Sequence, residues 1–208
     1  MRAKFFLALL SLLFAEIANA GILFSASAHW GVFAFRPLSE QNSSPNYYGL
    51  GPGIVAGYSL FQVFDAAAYV DYIPGQRGAP NIRNENASLV QYGMQLAVRL
   101  EDKVYLGLKA GNGLYHLVDK NFIADEVPGK WQGPSGGLMI GAIHKEDKRN
   151  YWQLTLEFMH LVVGKMELQQ GEAQPGERKI DCFKVTLSYT YNDFINHFIR
   201  RSIFKNIL

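Results

Sequence analysis

The chain has 208 residues, with 20 Lys and Arg against 18 Asp and Glu, 49% apolar residues and a single cysteine. So even a charge balance does not suggest a nucleic-acid binder, which concentrates its basic residues in a patch, and one cysteine, Cys182, excludes an internal disulfide. No apolar run approaches the roughly 20 residues of a membrane-spanning helix, which excludes a helical membrane protein.

The first 20 residues read as a secretory signal peptide. Arg2 and Lys4 precede the apolar run Phe5 to Phe14, and Ala18-Asn19-Ala20 supplies small residues before Gly21. No cysteine sits at that junction, so a lipid anchor is not expected. Loss of Arg2, Lys4 and Glu16 leaves 18 basic and 17 acidic residues. Residues 21–191 then form one unit and residues 192–208 a tail.

From Ile22 onward the chain alternates with a period of two, the signature of strands whose successive side chains face opposite ways. Eight strands are expected. The first, Ile22 to Phe35, sets Phe24, Trp30 and Val32 against Ser25, Ser27 and His29. The second, Gly53 to Leu60, and the third, Gln62 to Tyr72, continue the pattern with Ile54, Tyr58, Phe64 and Val70 on the bulky face. The fourth and fifth come from Val90 to Gly111, a hairpin around Glu101-Asp102-Lys103. The sixth is Gly136 to His144 and the seventh Tyr151 to Val163. In the eighth, Ile180 to Tyr191, the bulky face moves to odd positions, Phe183, Val185 and Leu187.

The connections are of two kinds. Those at Leu60–Phe61, Glu101–Lys103 and Lys145–Asn150 are short. Those at Arg36–Asn46, Ile73–Ala87, Asp119–Pro134 and Gly164–Lys179 are long, and Pro74-Gly75-Gln76-Arg77-Gly78-Ala79-Pro80 is dense in turn residues. An even number of antiparallel strands with tight turns at one end, long loops at the other and an export signal describes an outer-membrane barrel.

A soluble up-and-down barrel of the lipocalin kind would instead turn its bulky face inward around a ligand and wet its outer face. Here the second face is mostly Gly, Ala, Ser, Thr and Gln, suited to the cramped interior of eight strands, so the bulky face is expected to meet lipid. Tyr58, Tyr72, Tyr105, Tyr115, Tyr151, Trp152, Tyr189 and Tyr191 near strand ends are expected to form interfacial girdles. Trp30, nearer mid-strand, fits that pattern less well. The charges on the small-residue face, Asp65, Asp71, Arg99, Lys109, Glu157 and Lys184, need partners in the lumen. Symmetric closure of the last hairpin places Glu157 opposite Val185, beside Lys184. Such a network could be a path for protons or ions, or a plug. An eight-stranded barrel has room for little beyond its own side chains, which favours the plug.

Two segments carry a resemblance. Phe183-Lys184-Val185-Thr186-Leu187-Ser188-Tyr189-Thr190-Tyr191 resembles the aromatic-ended final strand read by the outer-membrane assembly machinery. Gly49-Leu50-Gly51-Pro52-Gly53-Ile54-Val55-Ala56-Gly57-Tyr58 looks like a second strand of the small OmpA-like porin-family barrels. That resemblance covers the expected barrel as a pattern. It implies an all-β, eight-stranded antiparallel transmembrane barrel in the bacterial outer membrane, with a structural or surface-interaction role. The implied partners are outer-membrane lipid and lipopolysaccharide, the assembly machinery and a surface ligand at the long loops. The usual terminal aromatic is displaced here by Asn192 to Leu208. There Phe194, Ile195, Phe198, Ile199 and Ile203 share one helical face, giving either an amphipathic helix on the inner leaflet or a frayed end.

Other readings are a narrow channel, a lipid-modifying enzyme and the lipocalin-like binder. Some small barrels of this class deacylate lipid A with a His and a Ser on a late strand beside an acidic residue. His160 has no neighbouring Ser, and it falls on the outward face. His29, His116, His144 and His197 lie in separate elements without ligand spacing. No enzyme, metal or cofactor is expected.

Overall fold

The computed structural model describes residues 21–36, 46–60, 63–79, 82–101, 103–118, 129–145, 150–165 and 178–192. The expected signal peptide and, beyond Asn192, the C-terminal tail lie outside the described residues. Eight strands, β1 (Gly21–Arg36), β2 (Asn46–Leu60), β3 (Phe64–Ala79), β4 (Ile82–Leu100), β5 (Val104–Leu117), β6 (Gly129–Lys145), β7 (Asn150–Lys165) and β8 (Arg178–Asn192), pair in chain order and close into a barrel. All neighbours are antiparallel, including β1 with β8.

The tight turns fall where the sequence places them. Val63 N–H donates to Leu60 O at 3.0 Å, and Lys103 N–H to Leu100 O at 3.0 Å. Glu101 holds φ of 50°, a left-handed conformation that the two-stranded twist demands of a short hairpin.

The long-loop end differs from expectation. Ile73 to Ala87 is mostly strand: Pro74 pairs with Ser88, Gly75 with Ala87, Gln76 with Asn86 and Arg77 with Glu85, before a bulge between Arg77 and Ala79. Likewise β2 begins at Asn46 and β6 at Gly129, inside stretches read as loop. Pro and Gly are tolerated because the neighbouring ladders lapse there. Between β2 and β3 no pairs join Tyr48–Gln76 to Gly53–Asp71, the stretch holding Pro52 and Pro74, which have no N–H to donate. Gly49 and Gly51 are required at this seam, since a Cβ on them would fall 1.5 Å from Pro74 O and 1.7 Å from Tyr72 O.

The register fixes the barrel geometry. A path along paired residues from Gly21 runs through Ser59, Asp65, Ala97, Gly107, Met139, Glu157 and Lys184 and returns to β1 at Gly31, ten residues beyond its start. That shear, spread over eight strands, tilts them and shifts the axial level by just over one residue per strand. On this scale the outward Tyr58, Trp152, Tyr189 and Tyr191 share a level at the turn end. Trp30, Tyr72 and Tyr92 share another toward the loop end.

Between these two aromatic levels the barrel is inverted relative to a soluble protein. Leu138 is 61% exposed, and Ile54, Leu96, Leu108, Leu156 and Phe158 are exposed as well, while Lys184 is wholly buried. Tyr105, Tyr115 and Tyr151, expected in the girdles, instead point inward and are buried. Their parity decides this: on β5 Tyr105 alternates with the outward Leu106, so it shares the inward face with Lys109.

Candidate functional site in the lumen

Strand alternation and tilt together bring the six sequence-predicted charges into the lumen, where they divide into two clusters at different levels. Near the turn end, Arg99 Nη2 on β4 donates to Asp65 Oδ1 on β3 at 2.9 Å and also to the Ser59 hydroxyl on β2. Tyr151 O–H donates to the other Asp65 oxygen at 3.5 Å, and the Arg99 guanidinium lies 5.2 Å from the Tyr151 ring centroid.

At mid-barrel, Asp71 of β3, Lys109 of β5, Glu157 of β7 and Lys184 of β8 form a ring of alternating charge. Lys109 Nζ lies 2.9 Å from Asp71 and 2.7 Å from Glu157. Lys184 Nζ lies 3.0 Å from Glu157 and also binds Asp71. Glu157 is directly opposite Lys184 in the ladder, one residue from the symmetric-closure expectation of Val185. Two cations and two anions cancel, and Thr186 donates a further hydrogen bond to Glu157 at 2.8 Å. The Tyr69 ring sits 4.5 Å from Lys109 Nζ. Buried charges remain ionised when opposite charges and hydrogen bonds replace lost hydration.

His29 reaches the same level from β1 and donates from Nε2 to Tyr72 O at 3.0 Å. That carbonyl belongs to the lapsed β2–β3 ladder, so a side chain supplies the bond that a backbone N–H would otherwise make. Between the two charge clusters lies a cavity of about 30 Å³ lined by Ser25, Ser27, Thr155, Thr186, Ser188 and Thr190 among others. That space suits one or two water molecules. It is far too small for a solute.

Above the charge ring the lumen changes character. Phe33, Tyr47, Tyr115 and Trp131 pack with ring centroids 5.3 Å apart for Phe33–Tyr47 and 5.4 Å for Tyr115–Trp131. Ile73, Leu89, Leu117, Leu161, Val163 and Ile180 complete a fully buried apolar layer. The expectation of a wholly polar lumen is corrected here: the loop-end half is filled with aromatic and aliphatic side chains. Its sequence signal is a reversal of the alternation. At this level the outward positions of three strands become polar, with Asn86 and Ser88 on β4, Lys130 and Gln132 on β6, and Lys179 and Asp181 on β8, while the inward ones become apolar. Inward Gly75 and Gly113 make room, since a Cβ on them would lie 2.4 Å from Phe33 and 2.0 Å from Leu161.

His160 is on the outside, and the Asp181 carboxylate accepts from its Nδ1 at 2.7 Å across the β7–β8 pair. The outward neighbours two residues along each strand are Phe158, Val162, Phe183 and Lys179, none of them a nucleophile of the Ser or Cys kind. Among the described residues no group of three or more His, Cys, Asp or Glu is placed to hold a metal.

No protein-family model and no curated protein sequence matches the chain. Among solved structures it is similar to Neisserial surface protein A, with a TM-score of 0.57 at 11% identity, over 82% of this chain and 96% of that one. OprG from Pseudomonas aeruginosa gives 0.48 at 9% identity over 83% and 96% of the two chains. Ail of Yersinia pestis, in complex with sucrose octasulfate, gives 0.48 at 10% over 83% and 99%. With its closed ladder, outward apolar band and paired luminal charges, the chain has the fold of the small, eight-stranded outer-membrane β-barrels.

Proposed function

We propose that this protein is an integral component of the bacterial outer membrane whose barrel is shut. It acts as an embedded scaffold that presents its loop end at the cell surface and adds to envelope integrity. The apolar band between two aromatic levels supports membrane insertion, because such a surface is stable only against hydrocarbon. The observation that carries the closed state is the stacking of two seals in the lumen. The Asp71–Lys109–Glu157–Lys184 ring lies beneath the Phe33–Tyr47–Tyr115–Trp131 layer. A hydrated ion would have to break both. The barrel reaches the membrane through the assembly machinery, which reads its final strand, and the loops meet a surface ligand.

Fractionation of cells, gel mobility before and after boiling in detergent, and planar-bilayer recording test this together. The expected result is an outer-membrane band that shifts on boiling and no unitary conductance steps. A soluble periplasmic band would turn the reading to a lipocalin-like binder, and regular conductance steps would turn it to a channel.

A further inference from the structure

One side of the barrel carries an outer groove. Its outer face between β3 and β8 forms an apolar groove of about 720 Å³, with Phe64 and Phe183 on its flanks and Leu96, Leu108, Leu138 and Leu156 across it. Small residues lie behind it. Behind the groove the inward positions Ala97, Gly107 and Gly137 carry little or no side chain, beside the larger Met139 and Glu157. Met139 and Met159 occupy the space these small residues leave, and a Cβ on Gly107 or Gly137 would fall 2.5 Å from Met139 Cε or 2.3 Å from Met159 Sδ.

Charge is distributed unevenly above it. On the same side of the barrel the outward loop-end positions are His116 on β5, Lys130 on β6, His160 on β7 and Lys179 on β8, with Lys130 and Lys179 exposed. Asp181, the carboxylate in this group, is engaged by His160 at 2.7 Å. On the far side the corresponding described side chains, Tyr48, Gln76, Asn86 and Ser88, are uncharged. Directly above Phe158 and Phe183 the next outward residues are His160 and Asp181, so the groove opens upward into the polar rim.

An apolar trough below a cationic rim is complementary to an acyl chain below a phosphate. The long loops mark the rim as the outer-leaflet side, where the anionic lipid of an outer membrane is a phosphorylated glycolipid. We propose that the β4–β8 face is a specific binding site for one lipid A molecule, with acyl chains in the groove and phosphate at Lys130 and Lys179. This rests on the outer-membrane reading above. A smooth convex barrel would hold only exchanging lipid, whereas a groove buries chain surface against protein on several sides.

The test is native mass spectrometry of the protein released from phosphatidylethanolamine nanodiscs doped with lipid A. One retained lipid A is expected. Leu108→Trp with Ile140→Trp, which fills the groove, should lower the retained fraction at least tenfold. Lys130→Glu with Lys179→Glu should lower it severalfold without touching the groove, which keeps the test decisive should the Trp pair fail to fold. Leu50→Trp on the opposite face should change nothing. Equal retention of phosphatidylglycerol, indifference to both pairs, or a dimer peak in place of bound lipid would each overturn the site while leaving the barrel reading intact. A wild-type chain that never enters the discs would overturn both.

Discussion

Lys184 is wholly buried in a tight barrel, yet Glu157 beside it on β7 and Asp71 across the lumen are both carboxylates that also share Lys109. Removing it leaves Asp71 and Glu157 with one cation between them in a site with room for only a water or two. Lys184→Met, which keeps the volume and deletes the charge, is therefore expected to destabilise the refolded barrel by about 3–5 kcal/mol. Adding Asp71→Asn restores neutrality and should recover part of that loss. Urea unfolding in detergent micelles measures both, and a loss below about 1 kcal/mol for the single variant would show that the ring is not held by charge. That all six charges face inward was legible from parity alone. Their partition into a ring and a separate Arg99–Asp65 pair was not, because it depends on the tilt, which only the closed ladder fixes. The one-residue error at Glu157 has the same origin: symmetric closure of a long loop is a guess about parity, and the true pairing sets Glu157 against Lys184.

The strands were legible where they cross the apolar band and misread where they rise beyond it. Pro74, Gly75, Gly78 and Pro80 carry the composition of a loop, but β3 and β4 remain paired up to Ala79 and Ile82. Composition misleads here because Gly75 answers to packing. Its absent side chain is the space occupied by the Phe33 ring and the Tyr47 Cβ. Gly75→Ala is thus expected to cost about 1–3 kcal/mol by overpacking. Gly164, where a Cβ would meet nothing within 4 Å, should accept Ala within about 0.5 kcal/mol. Adding Phe33→Leu to Gly75→Ala should relieve the strain. If thermal unfolding shows the two glycine variants to be alike, Gly75 is there for its backbone and the packing account fails.

At the scale of the whole molecule the two halves of the barrel obey opposite rules. Within the apolar band the outside is apolar and the charges lie inside; above it the inside becomes an apolar core and on β4, β6 and β8 the outside turns polar, as though a small soluble core were mounted on a membrane protein. Reading bulky residues as outward throughout therefore found the band and missed the upper seal, although Trp131 between Lys130 and Gln132, and Ile180 between Lys179 and Asp181, display the reversal plainly. The two seals lie in series, and a series path conducts only when every barrier is open. Phe33→Ala, Tyr115→Ala and Trp131→Ala together should leave planar bilayers silent, because the charge ring still crosses the lumen. Replacing Asp71, Lys109, Glu157 and Lys184 by Ala in an otherwise intact barrel should also leave them silent, because the aromatic layer remains. Only the combination should give unitary steps, in a protein whose gel shift on boiling certifies that it is still closed into a barrel. Steps from the aromatic variant alone would mean that the ring parts readily under voltage, and the lumen would then have one seal rather than two.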